Sequence, residues 1–237
     1  NLETMVPDEP IGVPDGEKQS TKWISNYDDQ FKGMIPLREA LAESRNAVAI
    51  WLTGQIGIGS VLRTSRILGV QTRLQPYATT ALGASEVNLL ELANAYRTMA
   101  SGILAEPYVI RKIVRDSVEV AEDKEHGRST VDVDDSALAL IQEGLRGVVR
   151  IPTGTAHSLD SKVFPIAVMG KTGTTNEFRD ALFVGSTFGP EGITVAVRIG
   201  FDDNRSLGSK ETGGRVALPV FKELMLRVYR EKLVGPV

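Results

Sequence analysis

Met169-Gly170-Lys171-Thr172-Gly173-Thr174-Thr175-Asn176 follows a short apolar run, Ile166-Ala167-Val168-Met169. Two more apolar runs come after it, Ala181-Leu182-Phe183-Val184 and Ile193-Thr194-Val195-Ala196-Val197-Arg198-Ile199, separated by the turn-forming Gly189-Pro190-Glu191-Gly192. Short apolar runs joined by such turn chemistry predict an antiparallel meander with Lys-Thr-Gly on its first strand.

The chemistry of that strand is specific. Lys171 supplies a cation, and strand alternation sets Thr172 and Thr174 on one face. Two hydroxyls and an ammonium, expected together on one face, suit a carboxylate. Gly173 between them lacks a side chain, so a substrate backbone has room to lie along the strand and pair with its edge. The Thr174 N–H then points at a developing oxyanion. Two nucleotide-binding readings fail. Gly170-Lys171-Thr172 matches the end of a phosphate loop, but Pro165 stands at its first glycine position. Gly57-x-Gly59 is followed by Leu62 where a dinucleotide fingerprint needs glycine.

Upstream the pattern is mostly helical. Asn1 to Gly33 is rich in Pro, Gly, Asp and Lys and reads as an extended segment with at most short strands, or as a disordered leader. Pro36 to about Gly54 has helical spacing, interrupted by Ser44-Arg45-Asn46, which by itself reads as a helix-to-helix turn with local caps. Gly57 to Leu74 predicts another helix with Val61, Leu62, Ile67 and Leu68 as its core face, stopped by Gly69. Asn88 with Glu91 marks a helix start, and Gly102 its end. Tyr108–Val114 and Ser117–Val120 read as a hairpin, followed by a charged, solvated tract, Glu122 to Arg128, that holds His126. Asp134-Asp135 opens a helix whose face is Leu138, Ile141, Leu145 and Val148. The tail from Arg215 to Lys232 is amphipathic, with Val216, Val220, Leu224 and Val228 aligned and Phe221 and Met225 beside them. The elements together give an α+β protein, an antiparallel sheet covered by helices.

Composition narrows the function. The chain has 237 residues, 42% hydrophobic and 24% charged, as expected of one or two globular domains. A net charge of −3 without a basic run argues against nucleic acid. With no cysteine there is no disulfide or thiolate metal site, and no metal or cofactor is expected. No apolar stretch approaches a membrane span.

Several separated motifs in order carry a resemblance. Gly170-Lys171-Thr172-Gly173-Thr174-Thr175-Asn176, Arg179-Asp180-Ala181 and Phe183-Val184-Gly185 resemble the transpeptidase domain of class A penicillin-binding proteins. Gly200-Phe201-Asp202-Asp203-Asn204-Arg205-Ser206-Leu207-Gly208 and Thr212-Gly213-Gly214 do so as well. Upstream, Ser44-Arg45-Asn46 is similar to that family's Ser-x-Asn element, and Ala81–Val87 with Leu90–Ala93 also matches. The resemblance covers about residues 26–237, with residues 1–33 as an extended segment and 34–237 as the domain proper. It implies a five-stranded sheet beside an all-helical lobe, with the active site between them; two of those strands and a helix are expected upstream of the present sequence.

It further implies a D,D-transpeptidase that cross-links peptidoglycan stem peptides by acyl transfer from D-Ala-D-Ala and is a target of β-lactams. Ser44 then relays a proton to or from the leaving group, and Asn46 holds the substrate's peptide carbonyl. Lys171, Thr172 and Thr174 bind the terminal carboxylate, and Gly173 leaves room for the substrate. A Gly-Thr-Ala such as Gly154-Thr155-Ala156 recurs there; the neighbouring His157 is a weak catalytic candidate, since the family needs no histidine. One departure matters: no serine in the chain has lysine three residues later, so the family's Ser-x-x-Lys nucleophile is expected upstream. The implied partners include that upstream segment and a glycosyltransferase domain, in a protein anchored at the periplasmic face of the bacterial inner membrane. A penicillin-sensing or β-lactamase relative, or a non-catalytic peptidoglycan-binding module, is the alternative.

Overall fold

The computed structural model describes residues 1–15, 20–110, 112–122, 127–189 and 191–234. It begins with four short strands, β1 (Met5–Asp8), β2 (Ile11–Asp15), β3 (Ser20–Ile24) and β4 (Gly33–Pro36), paired antiparallel as β1–β4 and β2–β3. These ribbons are tied down by their apolar side chains. Val6 and Ile35 pack with Ala40 and Val48, and Val13 and Ile24 pack with Ile50.

Helices α1 (Leu37–Ala42) and α2 (Asn46–Ile56) follow, broken at Ser44, whose φ of 61° is left-handed. Pro36 is not in the first helical turn as expected; it stands at the N-cap in an extended conformation. Helix α3 (Ile58–Ile67) ends seven residues short of the expected Leu74, where the chain turns through Gly69 at φ 99°. Its expected core face, Val61, Leu62, Ile67 and Leu68, is only half-buried. In α4 (Leu89–Ser101) the Asn88 side chain accepts from Glu91 N–H at 2.8 Å, and Gly102 stops the helix at φ 70°. The Glu91 carboxylate accepts from the backbone and hydroxyl of Thr72, and so pins the α3–α4 connection.

Beyond α4 lie β5 (Ile103–Ala105), β6 (Lys112–Arg115), β7 (Val118–Glu122) and β8 (Arg128–Thr130), paired as β5–β8 and β6–β7. The hairpin expected here begins at Lys112 rather than Tyr108 and turns at Asp116 and Ser117, both left-handed, as a two-residue hairpin turn requires. Arg111 and most of the expected charged tract, His126 included, lie outside the described residues. Helix α5 (Asp135–Arg150) starts at Asp134, whose carboxylate accepts from the N–H groups of Ser136 and Ala137.

The main sheet is β9 (Met169–Thr174), β10 (Asp180–Ser186) and β11 (Thr194–Gly200), antiparallel in the order β11-β10-β9. The first apolar run becomes strand only at Met169; Val168 before it is buried but unpaired with β10. The expected turn residue Pro190 lies outside the described residues. One face of the sheet carries Met169, packed on Leu145 of α5 and Ala100 of α4. The other carries Phe183, whose ring meets Phe221 edge-on at 4.7 Å, both fully buried. Phe221 belongs to the last helix, α6 (Leu218–Arg230).

Helix α6 corrects the sequence reading. Its buried face is Leu218, Phe221, Met225 and Val228, whereas Val220 is 48% and Leu224 42% exposed. The reason is tertiary: Phe221 and Met225, expected beside the stripe, are the side chains that pack with Phe183 of the sheet, which turns Val220 and Leu224 outward. Truncating Phe221 to alanine is therefore expected to cost about 3–5 kcal/mol, and Val220→Ala no more than about 0.5 kcal/mol. Urea unfolding of both variants reads the difference; equal losses would mean that the α6 face is misplaced.

Candidate active site

Strand β9 is an edge strand of the sheet, so it presents chemistry in three directions. Lys171 shares a face with Met169 and points toward the α1–α2 turn. Its ammonium donates to Ser44 Oγ at 2.7 Å and to the Thr172 carbonyl at 3.2 Å. Residues 127 positions apart thus form one hydrogen bond. Burial lowers the Lys171 pKa from 10.5 to about 8, because enclosure away from water disfavours the charged form.

The two threonines do not join Lys171 on its face, contrary to the expectation of one shared surface. Alternation puts neighbouring side chains on opposite faces, and Thr172 pairs across from Phe183 on the α6 side. The Thr172 hydroxyl donates to Thr155 Oγ1 at 2.7 Å, and the Thr174 hydroxyl accepts from Gly213 N–H at 3.1 Å. Gly213 must be glycine for this approach, since a Cβ there would lie 2.1 Å from the Leu182 carbonyl oxygen and 2.4 Å from that of Gly173.

The third direction is the strand edge. Thr175 N–H donates to the Asp180 carbonyl at 3.0 Å. In an antiparallel ladder the bonded side alternates, so the N–H of Thr174, next in line, faces away from β10. Among the described residues no strand pairs with that edge.

Asn46 opens α2 immediately after the turn. Its side-chain amide donates to the Ser25 carbonyl at 3.0 Å and does not touch Lys171 or Ser44 through any described hydrogen bond. Beside Ser44 an open pocket of about 400 Å³ is lined by Tyr27, Asp28, Glu43 and Thr153 among others. The Glu43 carboxyl is buried, which alone would raise its pKa. Hydrogen bonds from Lys32 and Arg45 outweigh that and hold it below the usual range.

Two residues that sequence reading left unassigned hold this site. Thr155 bridges its parts: its N–H donates to the Ala42 carbonyl at the end of α1, and its hydroxyl receives that of Thr172. Gly154 permits this, since a Cβ there would lie 2.3 Å from the Val148 carbonyl oxygen. Gly-Thr-Ala was the available signal, but it gave no geometric role. Arg45 was read only as the variable position of Ser-x-Asn, yet it is 8% exposed and ion-paired. His157 contributes structure: its Nδ1 lies 3.1 Å from the Val149 carbonyl, away from Ser44 and Lys171 in its hydrogen bonding.

Comparison with known proteins gives the family. The family model for the penicillin binding protein transpeptidase domain matches residues 2–226. Penicillin-binding protein 1A of Aquifex aeolicus is 37% identical over 220 residues, covering 88% of this chain and 28% of that protein. The protein of the same name from Neisseria lactamica is 35% identical over 229 residues, covering 94% and 28%. The chain therefore spans about 28% of the length of the curated relatives it matches. Among solved structures, penicillin-binding protein 1A of Haemophilus influenzae superposes with a TM-score of 0.84 at 24% identity, covering all of this chain and 40% of that one. PonA1 of Mycobacterium tuberculosis superposes with a TM-score of 0.78 at 20% identity, covering 95% and 63%. At those identities the superpositions establish the α+β fold, and the family match with the relatives establishes the rest: this chain belongs to the penicillin-binding protein transpeptidase domain family.

Proposed function

We propose that the chain forms the Lys-Thr-Gly side of a peptidoglycan D,D-transpeptidase site, within a larger protein that supplies the nucleophile. The observation that carries this is the 2.7 Å contact from Lys171 to Ser44 beside an unpaired strand edge. An ammonium against a serine hydroxyl forms a proton path, and a free edge accepts an extended peptide.

In this reading a serine outside the present sequence attacks the carbonyl of the penultimate D-alanine of a stem peptide. The C–N bond breaks and terminal D-alanine leaves with a proton relayed through Ser44. The amine of a second stem then attacks the acyl-enzyme and releases the serine. Asn46 holds the substrate's peptide carbonyl, and the outward N–H of Thr174 donates to the developing oxyanion. Lys171 supplies positive charge from beneath the strand. Thr172 and Thr174 approach the terminal carboxylate along the edge, and Gly173 between them leaves the backbone open. β-Lactams enter by the same route and acylate the same serine. The parent protein carries a glycosyltransferase domain and a membrane anchor, and works at the periplasmic face of the inner membrane; among the described residues no helix is long and apolar enough to cross a membrane.

Three outcomes follow from this assignment. In the full-length protein, Lys171→Ala is expected to lower capture of a labelled penicillin by two orders of magnitude or more, on the order of the loss of one transition-state electrostatic partner, with the thermal midpoint retained. Capture undiminished by the substitution would remove Lys171 from the site. The isolated 237-residue chain, incubated with a β-lactam, is expected to keep its unmodified mass, because no serine in it has the activating lysine; a gain of one drug mass would relocate the active centre.

The third concerns pH. The pKa of Lys171 is depressed in the folded chain, so the unfolded chain binds the proton more tightly and stability rises with pH between about 8 and 10.5. Lys171→Met, which has no ammonium to bury, is expected to be more stable than the wild type at pH 7. The margin is about 1 kcal/mol, allowing for the partial exposure of the side chain, and it shrinks as pH rises through 8. Chemical denaturation of both proteins at several pH values measures it; a margin independent of pH would contradict the burial.

A further inference from the structure

Ser44 holds its hydroxyl on Lys171 from an unfavourable backbone conformation. It is the left-handed residue that ends α1, with Arg45 N–H returning to the Ala40 carbonyl at 2.9 Å and Ser44 N–H to that of Leu41 at 3.2 Å. Glycine is the usual occupant of this position, because a Cβ is strained there. The surroundings must therefore hold Ser44 in place.

They do so through the residues on either side of it. The Arg45 guanidinium is buried and donates from Nε to Glu43 at 2.9 Å and from Nη1 to both oxygens of Asp28 at 3.0 Å. Asp8, fully buried on β1, lies 3.7 Å from Arg45 Nε. Glu43 is held in turn by Lys32 at 2.6 Å. A planar guanidinium with donors at fixed angles can bind two carboxylates from different segments at once, which a flexible ammonium cannot. The turn is thus fastened on both sides of Ser44: Glu43 to the Lys32 ammonium, and Arg45 to carboxylates that arrive from β1 and the β3–β4 connection.

We infer that Arg45 is a positioning residue for the transfer reaction: it clamps the Glu43–Ser44–Arg45 turn to the N-terminal ribbons and so fixes the Ser44 hydroxyl on Lys171. This rests on the transpeptidase reading given above. Arg45 touches neither the reacting atoms nor the substrate edge. Its loss should therefore slow chemistry while leaving ligand affinity nearly unchanged, since Lys171 and the β9 edge are on another element and Asn46 is anchored separately on the Ser25 carbonyl.

The test uses the full-length protein, a chromogenic cephalosporin as probe, and two variants. Arg45→Lys keeps the charge but loses the fork. Asp28→Asn removes the partner of Nη1 at a site whose side chain is 46% exposed, so it remains foldable if the first does not. Acylation rate constant and pre-acylation dissociation constant are measured separately, with thermal unfolding alongside. The expected result is an acylation rate constant lowered about tenfold or more for Arg45→Lys and less for Asp28→Asn, since small misplacements of a catalytic group carry such factors. The dissociation constant should stay within about twofold in both. Wild-type acylation rates in the folded variants, or a loss confined to the dissociation constant, would overturn the positioning role. Failure of the wild-type protein itself to be acylated would instead overturn the transpeptidase reading.

Discussion

A lysine ammonium drawn out of water against a single serine hydroxyl weakens the fold that holds it. Among the described residues Lys171 has no carboxylate hydrogen-bond partner, only Ser44 Oγ and a backbone carbonyl, and burial brings its pKa to about 8. Uncompensated burial of charge is unfavourable, so the rest of the molecule has to supply stability elsewhere. It does so behind the strand, where Phe183, Phe221, Leu218 and Met225 are all essentially without solvent exposure. Placing strain at a polar site and stability in an adjacent apolar layer is the usual relation between activity and fold.

The geometry of a six-residue strand explains how one element serves so many roles. Odd positions of β9 look toward α5 and the α1–α2 turn, and even positions toward α6 and the Gly213–Ala217 turn. The unpaired edge offers main-chain groups to a ligand in extended conformation. Lys171 and the threonines can then approach a common ligand only around that edge. The N–H of Thr174 is available there because Thr175 satisfies the ladder bond to Asp180.

Much of this was legible in the sequence, and the failures have physical causes. Local signals held. Asn88 and Asp134 cap helices because their side-chain oxygens meet orphan N–H groups a few residues on. Gly102 ends α4 because only glycine takes its left-handed φ without strain. The meander was readable from three apolar runs and their turns. Phase was not: apolar spacing from Val216 to Val228 fitted a helix face, but Phe221 and Met225 lie beside that stripe with comparable apolar character, and only the docking against Phe183 decides which side is buried. Placing Lys171 with Thr172 on one face neglected the alternation that separates neighbours. The Arg45 ion pairs were illegible for another reason, since Asp8 and Asp28 lie 37 and 17 positions earlier in the chain and ordinary acidic residues carry no sign of their distant partner.

Backbone strain sits along the same border. Apart from Ser44, the left-handed non-glycine residues include Glu177 at φ 58° and Phe178 at φ 55°, between β9 and β10. Two consecutive residues in that region cost free energy that a free loop would relax. Here the segment after β11 prevents it: Ser206 Oγ donates to the Glu177 carbonyl at 2.6 Å, and Leu207 N–H to that of Phe178 at 2.8 Å. The Phe178 ring is thereby carried to Tyr27, which it meets edge-on at 6.3 Å, and Tyr27 in turn lines the pocket beside Ser44. The β3–β4 connection, the β9–β10 loop and the segment after β11 are thus coupled to one another through the mouth of the site.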